Sequence, residues 1–303
     1  MTSLRAIGKA MRAWMPFNYV ATSIARGITS SVGWQPEFLP RHLHKVGRVT
    51  CTLPNGRSFA LWSRGDDWVS NRLFWYGWKG YEPETVGIFT ALAAESNVTF
   101  DVGAYVGFYA LVAALSNRES VVHAFEPMPA IFARLQNNVG LNGLTNVFVH
   151  ECAVGEASGT ADFYFHVQTE LPTSSSLSPT FTAETAGLNA RPVRVITLDD
   201  FVRDRSISRV DLMKIDTETT EPAVLRGARS MLERDRPHII CEVLHDRADA
   251  AAMHALLTSI GYSFYLLTPE GPIRDAAIKG HPQFLNYLFT TLSGEELRAR
   301  LSK

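Results

Sequence analysis

Asp101-Val102-Gly103-Ala104-Tyr105-Val106-Gly107, preceded by Val98-Thr99-Phe100 and followed by Phe108-Tyr109-Ala110-Leu111, is the stretch that decides the fold. A short apolar and β-branched run, two glycines four positions apart and a second apolar run read as strand, tight turn and helix. Gly103 lets the chain turn sharply at the strand end, and Gly107 permits close packing of helix on sheet. The dinucleotide-binding fingerprint needs a further glycine at the position of Tyr105, where the missing side chain clears space for a pyrophosphate. A tyrosine obstructs that space, so this turn suits a ligand without a pyrophosphate.

Strands and helices alternate outward from the turn. Val98–Val102 reads as a buried strand and Tyr109–Leu115 as a helix. Val121–Phe125 is a second strand, Ile131–Val139 a second helix and Val147–His150 a third strand. Further on, Leu212–Ile215 and His238–Val243 repeat the strand pattern on either side of a helix spanning Glu221–Leu232. Such alternation predicts an α/β, Rossmann-like, doubly wound and mostly parallel sheet, whose ligands sit at the carboxyl ends of the strands. Upstream, Val49–Leu53, the pair Asn55-Gly56 and Ser58–Trp62 predict a hairpin. The Ser-, Thr- and Pro-rich stretch from Phe163 to Val193 reads as a linker or a flap over the site.

The second strand ends in Phe125-Glu126-Pro127, and Glu126 lies 25 residues after Asp101. A carboxylate there accepts hydrogen bonds from both hydroxyls of a ribose. The third strand leads into Glu151-Cys152-Ala153-Val154, where a backbone N–H and small side chains can frame an adenine ring. Cys152 reads equally well as an ordinary buried thiol. Glycine turn and acidic strand end occur in dehydrogenases and methyltransferases alike, but Tyr105 weighs against the first. S-adenosylmethionine (SAM), which carries no phosphate, meets the constraint.

Taken in order, VTFDVGAYVGFYAL, HAFEPMPAIFARLQNNVGLNG, CAVGE, VRVITLDDF, VDLMKIDTETTEPAVLRGA and IICEVLH resemble the FkbM-type SAM-dependent methyltransferases, across residues 80–245. The resemblance implies a class I methyltransferase fold, SAM as cofactor and, typically, O-methylation of a hydroxyl on a secondary metabolite or glycan. It also implies that Asp101, Gly103, Gly107 and Glu126 hold SAM, and that Tyr81-Glu82-Pro83 leads into the first core helix near it. The surrounding Ala104, Tyr105, Phe108, Tyr109, Pro127, Met128, Cys152, Ala153 and Asp216 complete the expected cofactor site. One departure stands out. The family pattern after the fourth strand reads Lys-Ile-Asp-Val-Glu-Gly, whereas this chain has Lys214-Ile215-Asp216-Thr217-Glu218-Thr219. Thr219 puts a stiff β-branched residue where the pattern has glycine, and adds a hydroxyl where the acceptor is expected.

Methyl transfer from a sulfonium is an in-line displacement in which positioning supplies much of the rate. A hydroxyl acceptor must also lose a proton, to a base or beside a metal that lowers its pKa. Asp216 and Glu218 at one strand end, with Glu242 and His245 past the next, are the expected catalytic residues. Asp216 and Glu242 would be the ligands if the cluster holds magnesium. Asp216 has the alternative of capping the helix that starts at Glu221, and His245 of being a solvated loop residue. His123, in mid-strand, reads as a core histidine. Trp68, Phe74, Trp75, Tyr76, Trp78 and Tyr81 form either an acceptor platform or ordinary packing.

Composition sets the outer limits. Of 303 residues, 46% are hydrophobic and 19% charged, and the net charge of -1 points away from nucleic acid as a partner. Cys51, Cys152 and Cys241 have neither zinc spacing nor the look of a disulfide framework, which suits a reducing, cytoplasmic setting. No apolar run is long enough to span a bilayer. Residues 1–80 read as an accessory helix and hairpin, acting as lid or oligomer contact, and residues 81–303 as the methyltransferase domain. At the start, Arg5, Lys9 and Arg12 precede a stretch interrupted by Pro16, Asn18 and Ser23, which is unlike a cleaved signal. A helix whose apolar side carries Ala10, Trp14, Met15 and Tyr19, docked on the core or on a second subunit, is expected instead. Outside the O-methyltransferase reading stand N-methylation of a small molecule, an NAD-linked oxidoreductase and a non-catalytic SAM-binding protein.

Overall fold

The computed structural model describes residues 15–31, 37–166, 171–172, 175–182, 187–245 and 249–301. Eight strands form the central sheet: β3 (Val98–Val102), β4 (Val121–Phe125), β5 (Val147–His150), β10 (Leu212–Ile215), β11 (His238–Glu242), β12 (Ser263–Thr268), β13 (Gly271–Asp275) and β14 (Asn286–Thr290). Their order is β13-β12-β14-β11-β10-β3-β4-β5. Strands β5, β4, β3, β10 and β11 run parallel, and β14 enters antiparallel between β11 and β12. The strand order reverses between β3 and β10, so the chain leaves a crevice at their carboxyl ends.

Because successive side chains alternate across a strand, the sheet sorts its residues into two cores. On one face Val122, Ala124, Leu212, Ile240 and Leu288 pack against α4 (Pro83–Ala94), α5 (Phe108–Ser116) and α6 (Pro129–Leu141). On the other, Phe100, Val102, Met213, Ile215, Ile239 and Cys241 pack against α7 (Leu198–Asp204), α8 (Glu221–Arg226), α9 (Arg229–Asp235) and α10 (Ala250–Ile260). Strands buried on both faces read as continuous apolar runs, which is why their limits were legible. A last helix, α11 (Gly294–Leu301), joins the first core through Leu297.

The expected hairpin is present as β1 (Val46–Thr52) and β2 (Ser58–Arg64), paired antiparallel. It is clamped to α6 by side chains reaching backbone: Asn138 Oδ1 accepts from Trp62 N at 2.8 Å and Asn142 Oδ1 from Ala60 N at 2.7 Å. A short α2 (Phe38–His42) precedes the hairpin, and between hairpin and α4 lies α3 (Trp68–Tyr76), capped by Asp67, whose Oδ1 accepts from Ser70 N.

Three expectations need correction. The helix expected over Glu221–Leu232 is two helices broken at Gly227 and Ala228. A Cβ on Gly227 would lie 2.1 Å from the Gly155 carbonyl oxygen, so two backbones meet there and the chain bends around the contact. The stretch from Phe163 to Val193 begins and ends in sheet rather than being loop throughout. β7 (Gly159–His166) and β9 (Leu188–Ile196) pair antiparallel, flanked by β6 (Ala153–Val154) and β8 (Ser175–Ser176). Residues 167–170, 173–174 and 183–186 of this stretch, Ser174 among them, fall outside the described residues. Finally, Tyr19 of the N-terminal helix α1 (Met15–Ser31), expected on its docking side, is exposed, while Asn18 and Thr22 are the residues turned to the core. Hydrogen bonds to the start of β1 fix this orientation. Ala10 and Trp14 lie outside the described residues, and no described helix is long and apolar enough to cross a membrane.

Candidate active site

A cavity of about 320 Å³ opens at the carboxyl ends of β3, β4, β10 and β11, within the size range of small-molecule sites. One half is framed by backbone. Gly103 N and Ala104 N both donate to Phe125 O, at 3.1 and 3.0 Å, closing the turn after β3. Gly103 takes a left-handed φ of 82°, and a Cβ there would overlap the Asp216 carbonyl oxygen. Tyr105 also has positive φ, and its N–H donates to Glu126 Oε2 at 3.1 Å, while Met128 N donates to Oε1 at 2.8 Å. Burial nevertheless outweighs these two bonds and pushes the Glu126 carboxyl up to about 8. Burial likewise raises Asp101 to about 7, and its Oδ2 has no hydrogen-bond partner among the described residues.

The other half is framed by side chains, brought together by the pleat. Asp101 pairs in register with Lys214, Lys214 with Ile240, and Glu242 with Asn286. Residues two apart share a face, so Asp216 and Glu242 lie beyond Lys214 and Ile240 on the same side of the sheet. Lys214 is 0% exposed; its Nζ donates to Asp216 Oδ2 and Asn286 Oδ1, both at 3.2 Å, and lies 5.1 Å from the Tyr109 ring centre. Burial works to lower the Lys214 ammonium, but the carboxylates of Asp216, Glu82 and Glu242 overcome it and the net shift is upward. Glu82, itself left-handed at φ 42° before α4, accepts from Tyr109 Oη at 2.5 Å. Glu82 and Glu242 are both held above the usual carboxylate range, first by burial, and Glu242 also by Asp216 and Glu218. Glu242 Oε2 has no hydrogen-bond partner among the described residues.

The loop after β10 is tied by Glu221 rather than capped by Asp216: Glu221 Oε1 accepts from Thr217 N at 2.9 Å and Thr217 Oγ1 at 3.0 Å. Within it Glu218 and Thr219 both have positive φ, at 54° and 85°. Left-handed backbone is strained for a β-branched residue, and Thr219 Oγ1 is buried without a hydrogen-bond partner among the described residues. Above the site the Ser-rich tract supplies Ser175 and Leu177 to the lining, and Ser176 Oγ donates to Thr217 O at 3.2 Å.

Of the expected residues, Asp101, Gly103, Ala104, Tyr105, Phe108, Tyr109, Glu126, Pro127, Cys152, Ala153, Asp216, Glu218 and Glu242 line the cavity. Gly107, Met128 and His245 are not in its lining. Gly107 instead clears room for Leu135 of α6, whose Cδ1 would lie 2.4 Å from an added Cβ. Among the described residues no group of three or more His, Cys, Asp or Glu is placed to hold a metal ion, so magnesium at Asp216 and Glu242 gains no support. Lys214, and Asn286 that bonds it, lie outside the expected site, and Glu82 was expected only near the cofactor; the signal for Lys214 is a lysine inside an otherwise apolar strand. Of the aromatic cluster, Trp68 and Tyr81 line the cavity, whereas Phe74 and Trp75 are core packing. His123 is buried and bonded to His150, with Nδ1 to Nε2 at 3.0 Å.

A sheet in this strand order, with a glycine turn after its first strand and an acid ending its second, defines a class I SAM-dependent methyltransferase. The methyltransferase FkbM domain matches residues 101–264, and the chain belongs to that family. It is 30% identical over 202 residues to 31-O-demethyl-FK506 methyltransferase FkbM of Streptomyces tacrolimicus, across 58% of this chain and 76% of that protein. It is 26% identical over 152 residues to hexuronic acid methyltransferase AglP of Haloferax volcanii, across 50% of this chain and 58% of that protein. Methyltransferase FkbM from Methylobacillus flagellatus KT aligns in structure with a TM-score of 0.43 at 18% identity, over 64% of this chain and 43% of that one.

Proposed function

We propose that this chain methylates a hydroxyl of a small natural-product or sugar-like acceptor, with SAM held at the β3 and β4 ends and the acceptor placed at the β10 and β11 ends. The observation that carries this reading is one continuous cavity joining a backbone-braced carboxylate, Glu126, to a carboxylate cluster around a buried lysine. The residues fit SAM in charge. Asp101, Glu82, Asp216 and Glu242 outnumber Lys214, and the unpartnered Asp101 Oδ2 and Glu242 Oε2 favour a cationic ligand. When bound, SAM supplies an electrophilic methyl group on its sulfonium.

Glu126 receives the ribose hydroxyls, and Cys152 and Ala153 flank the adenine. Lys214 holds one oxygen of Asp216 and leaves the other to take the acceptor's proton. Glu82 and Glu242, both raised first by burial, flank Lys214 and hydrogen-bond the acceptor. Ser175, Leu177 and Trp68 roof the site and exclude water. In this arrangement Lys214 provides the local cation, and magnesium has no assigned role. Trp68 and Val69 reach the cavity from before residue 80, which supports the accessory segment as a lid. The names of the two relatives, a 31-O-demethyl-FK506 methyltransferase and a hexuronic acid methyltransferase, support an oxygen over a nitrogen acceptor. Mass spectrometry of hydroxylated macrolides and uronic acids incubated with enzyme and SAM tests the reading. A gain of one methylene unit on an oxygen is expected; transfer only to amines would overturn it.

A further inference from the structure

Helix α1 is inside out. Among its described side chains the buried ones are Asn18 (1% exposed), Thr22 (0%) and Thr29, all polar, with half-buried Ala25 packing beside them on the core. Its outward positions include Tyr19 at 62%, Val20 at 55%, and Ile24 and Ile28 at 58% each. Val20, Ile24 and Ile28 follow one another at four-residue steps and form an aliphatic ridge along solvent. An amphipathic helix ordinarily turns such a ridge inward. Here specific polar contacts prevent it. Asn18 Nδ2 donates to His44 O at 2.7 Å, Asn18 Oδ1 accepts from Val46 N at 2.8 Å, and Lys45 Nζ donates to Thr22 Oγ1 at 3.3 Å. Lys45 Nζ also sits 4.2 Å from the Tyr19 ring centre, and the Arg26 guanidinium 4.9 Å from that of Phe74. The helix is therefore anchored by its polar side, and its apolar side awaits a different partner.

Charge identifies that partner. The first 36 residues contain Arg5, Lys9, Arg12 and Arg26 and no aspartate or glutamate; the first acid is Glu37. A second copy pressed against this ridge would bring like charges together with no acid in the segment to pair them. An anionic bilayer surface satisfies both halves of the pattern, taking the aliphatic ridge among its acyl chains and the cations among its headgroups. With 17 residues and a polar side bonded to the domain, α1 would lie in the interface plane rather than cross it. We propose that α1 docks the enzyme on an anionic membrane surface.

Flotation of the full chain with vesicles tests this. The wild type is expected to float with phosphatidylcholine vesicles containing phosphatidylglycerol, but not with phosphatidylcholine alone. It should be released as sodium chloride rises from about 0.1 to 0.5 M. The double variant I24S/I28S should bind at least ~10-fold more weakly with an unchanged thermal midpoint, because both side chains are exposed. A second variant, Arg26→Ser, should weaken binding less and lessen its salt dependence. No binding to anionic vesicles, or undiminished binding by I24S/I28S, would overturn the proposal. So would a wild-type dimer in sedimentation velocity that does not float and that I24S/I28S converts to monomer.

Discussion

The two halves of the cavity are built from different materials. At the ends of β3 and β4 the left-handed positions are Gly103, Tyr105 and Gly107, and Glu126 is gripped by the amides of Tyr105 and Met128. At the ends of β10 and β11 the left-handed positions are Glu218 and Thr219, and the groups are held by one another: Lys214 by Asp216 and Asn286, Tyr109 by Glu82. A frame of backbone bonds serves one ligand shape and changes little with side-chain substitution. A frame of side chains is altered by any substitution within it. On the proposed reading the first half serves an invariant cofactor and the second a variable acceptor.

That division predicts separable losses. Asp216→Asn keeps the shape of the β10 end but removes the charge, and should lower single-turnover methyl transfer at least ~100-fold. SAM affinity should change far less; equal losses in both would erase the distinction. Glu126→Ala should do the converse, weakening SAM binding at least ~10-fold by calorimetry through loss of charge-assisted hydrogen bonds. Unchanged affinity in a folded variant would remove Glu126 from the cofactor half.

The cofactor half should also respond to pH. In the ligand-free protein burial holds Glu126 at about 8 and Asp101 at about 7, so both bind protons below those values. Ribose hydroxyls and a sulfonium favour the ionised forms, so SAM affinity should rise severalfold from pH 6 to pH 8 and then level off. Calorimetry in buffers of different ionisation enthalpy should record proton release at pH 7. The same raised values mean that the folded protein binds more protons than the unfolded chain above the ordinary carboxylate range. Stability without ligand should therefore fall as pH rises from about 5 to 8, and Glu126→Gln should flatten that fall.

Much of this was legible in the sequence, and what was not has local causes. The five parallel strands announce themselves because both faces are buried, leaving short apolar runs between turns. Asp101 and Glu126 were legible as strand-end residues beside the glycine turn, and both line the cavity there. Gly227 gave no warning that it splits a helix, since the carbonyl it makes room for belongs to Gly155, far away in sequence. β7 and β9 were obscured by the Ser, Thr and Pro of the segment joining them, although Phe163, Val193 and Val195 turn inward to the core. Lys214 acquires its place only through cross-strand neighbours, Asp101 on one side and Ile240 on the other. The inverted α1 follows from Asn18 finding His44 and Val46, a pairing between segments that periodicity alone does not contain.

The smallest expected effect lies in the acceptor half. Thr219→Gly relieves a left-handed β-branched residue and removes its unpartnered hydroxyl, and should raise stability by about 1 kcal/mol in urea unfolding. A loss of stability would mean that Thr219 makes the turn rather than suffers it.

A crystal structure with the demethylated cofactor S-adenosylhomocysteine tests the two-part cavity most directly. The account predicts both ribose hydroxyls within hydrogen-bond reach of Glu126, with the sulfur directed toward the β10 end. A ribose away from Glu126, or a sulfur more than about 10 Å from the Asp216 carboxylate, would contradict it, because in-line transfer leaves a base no such distance to act across.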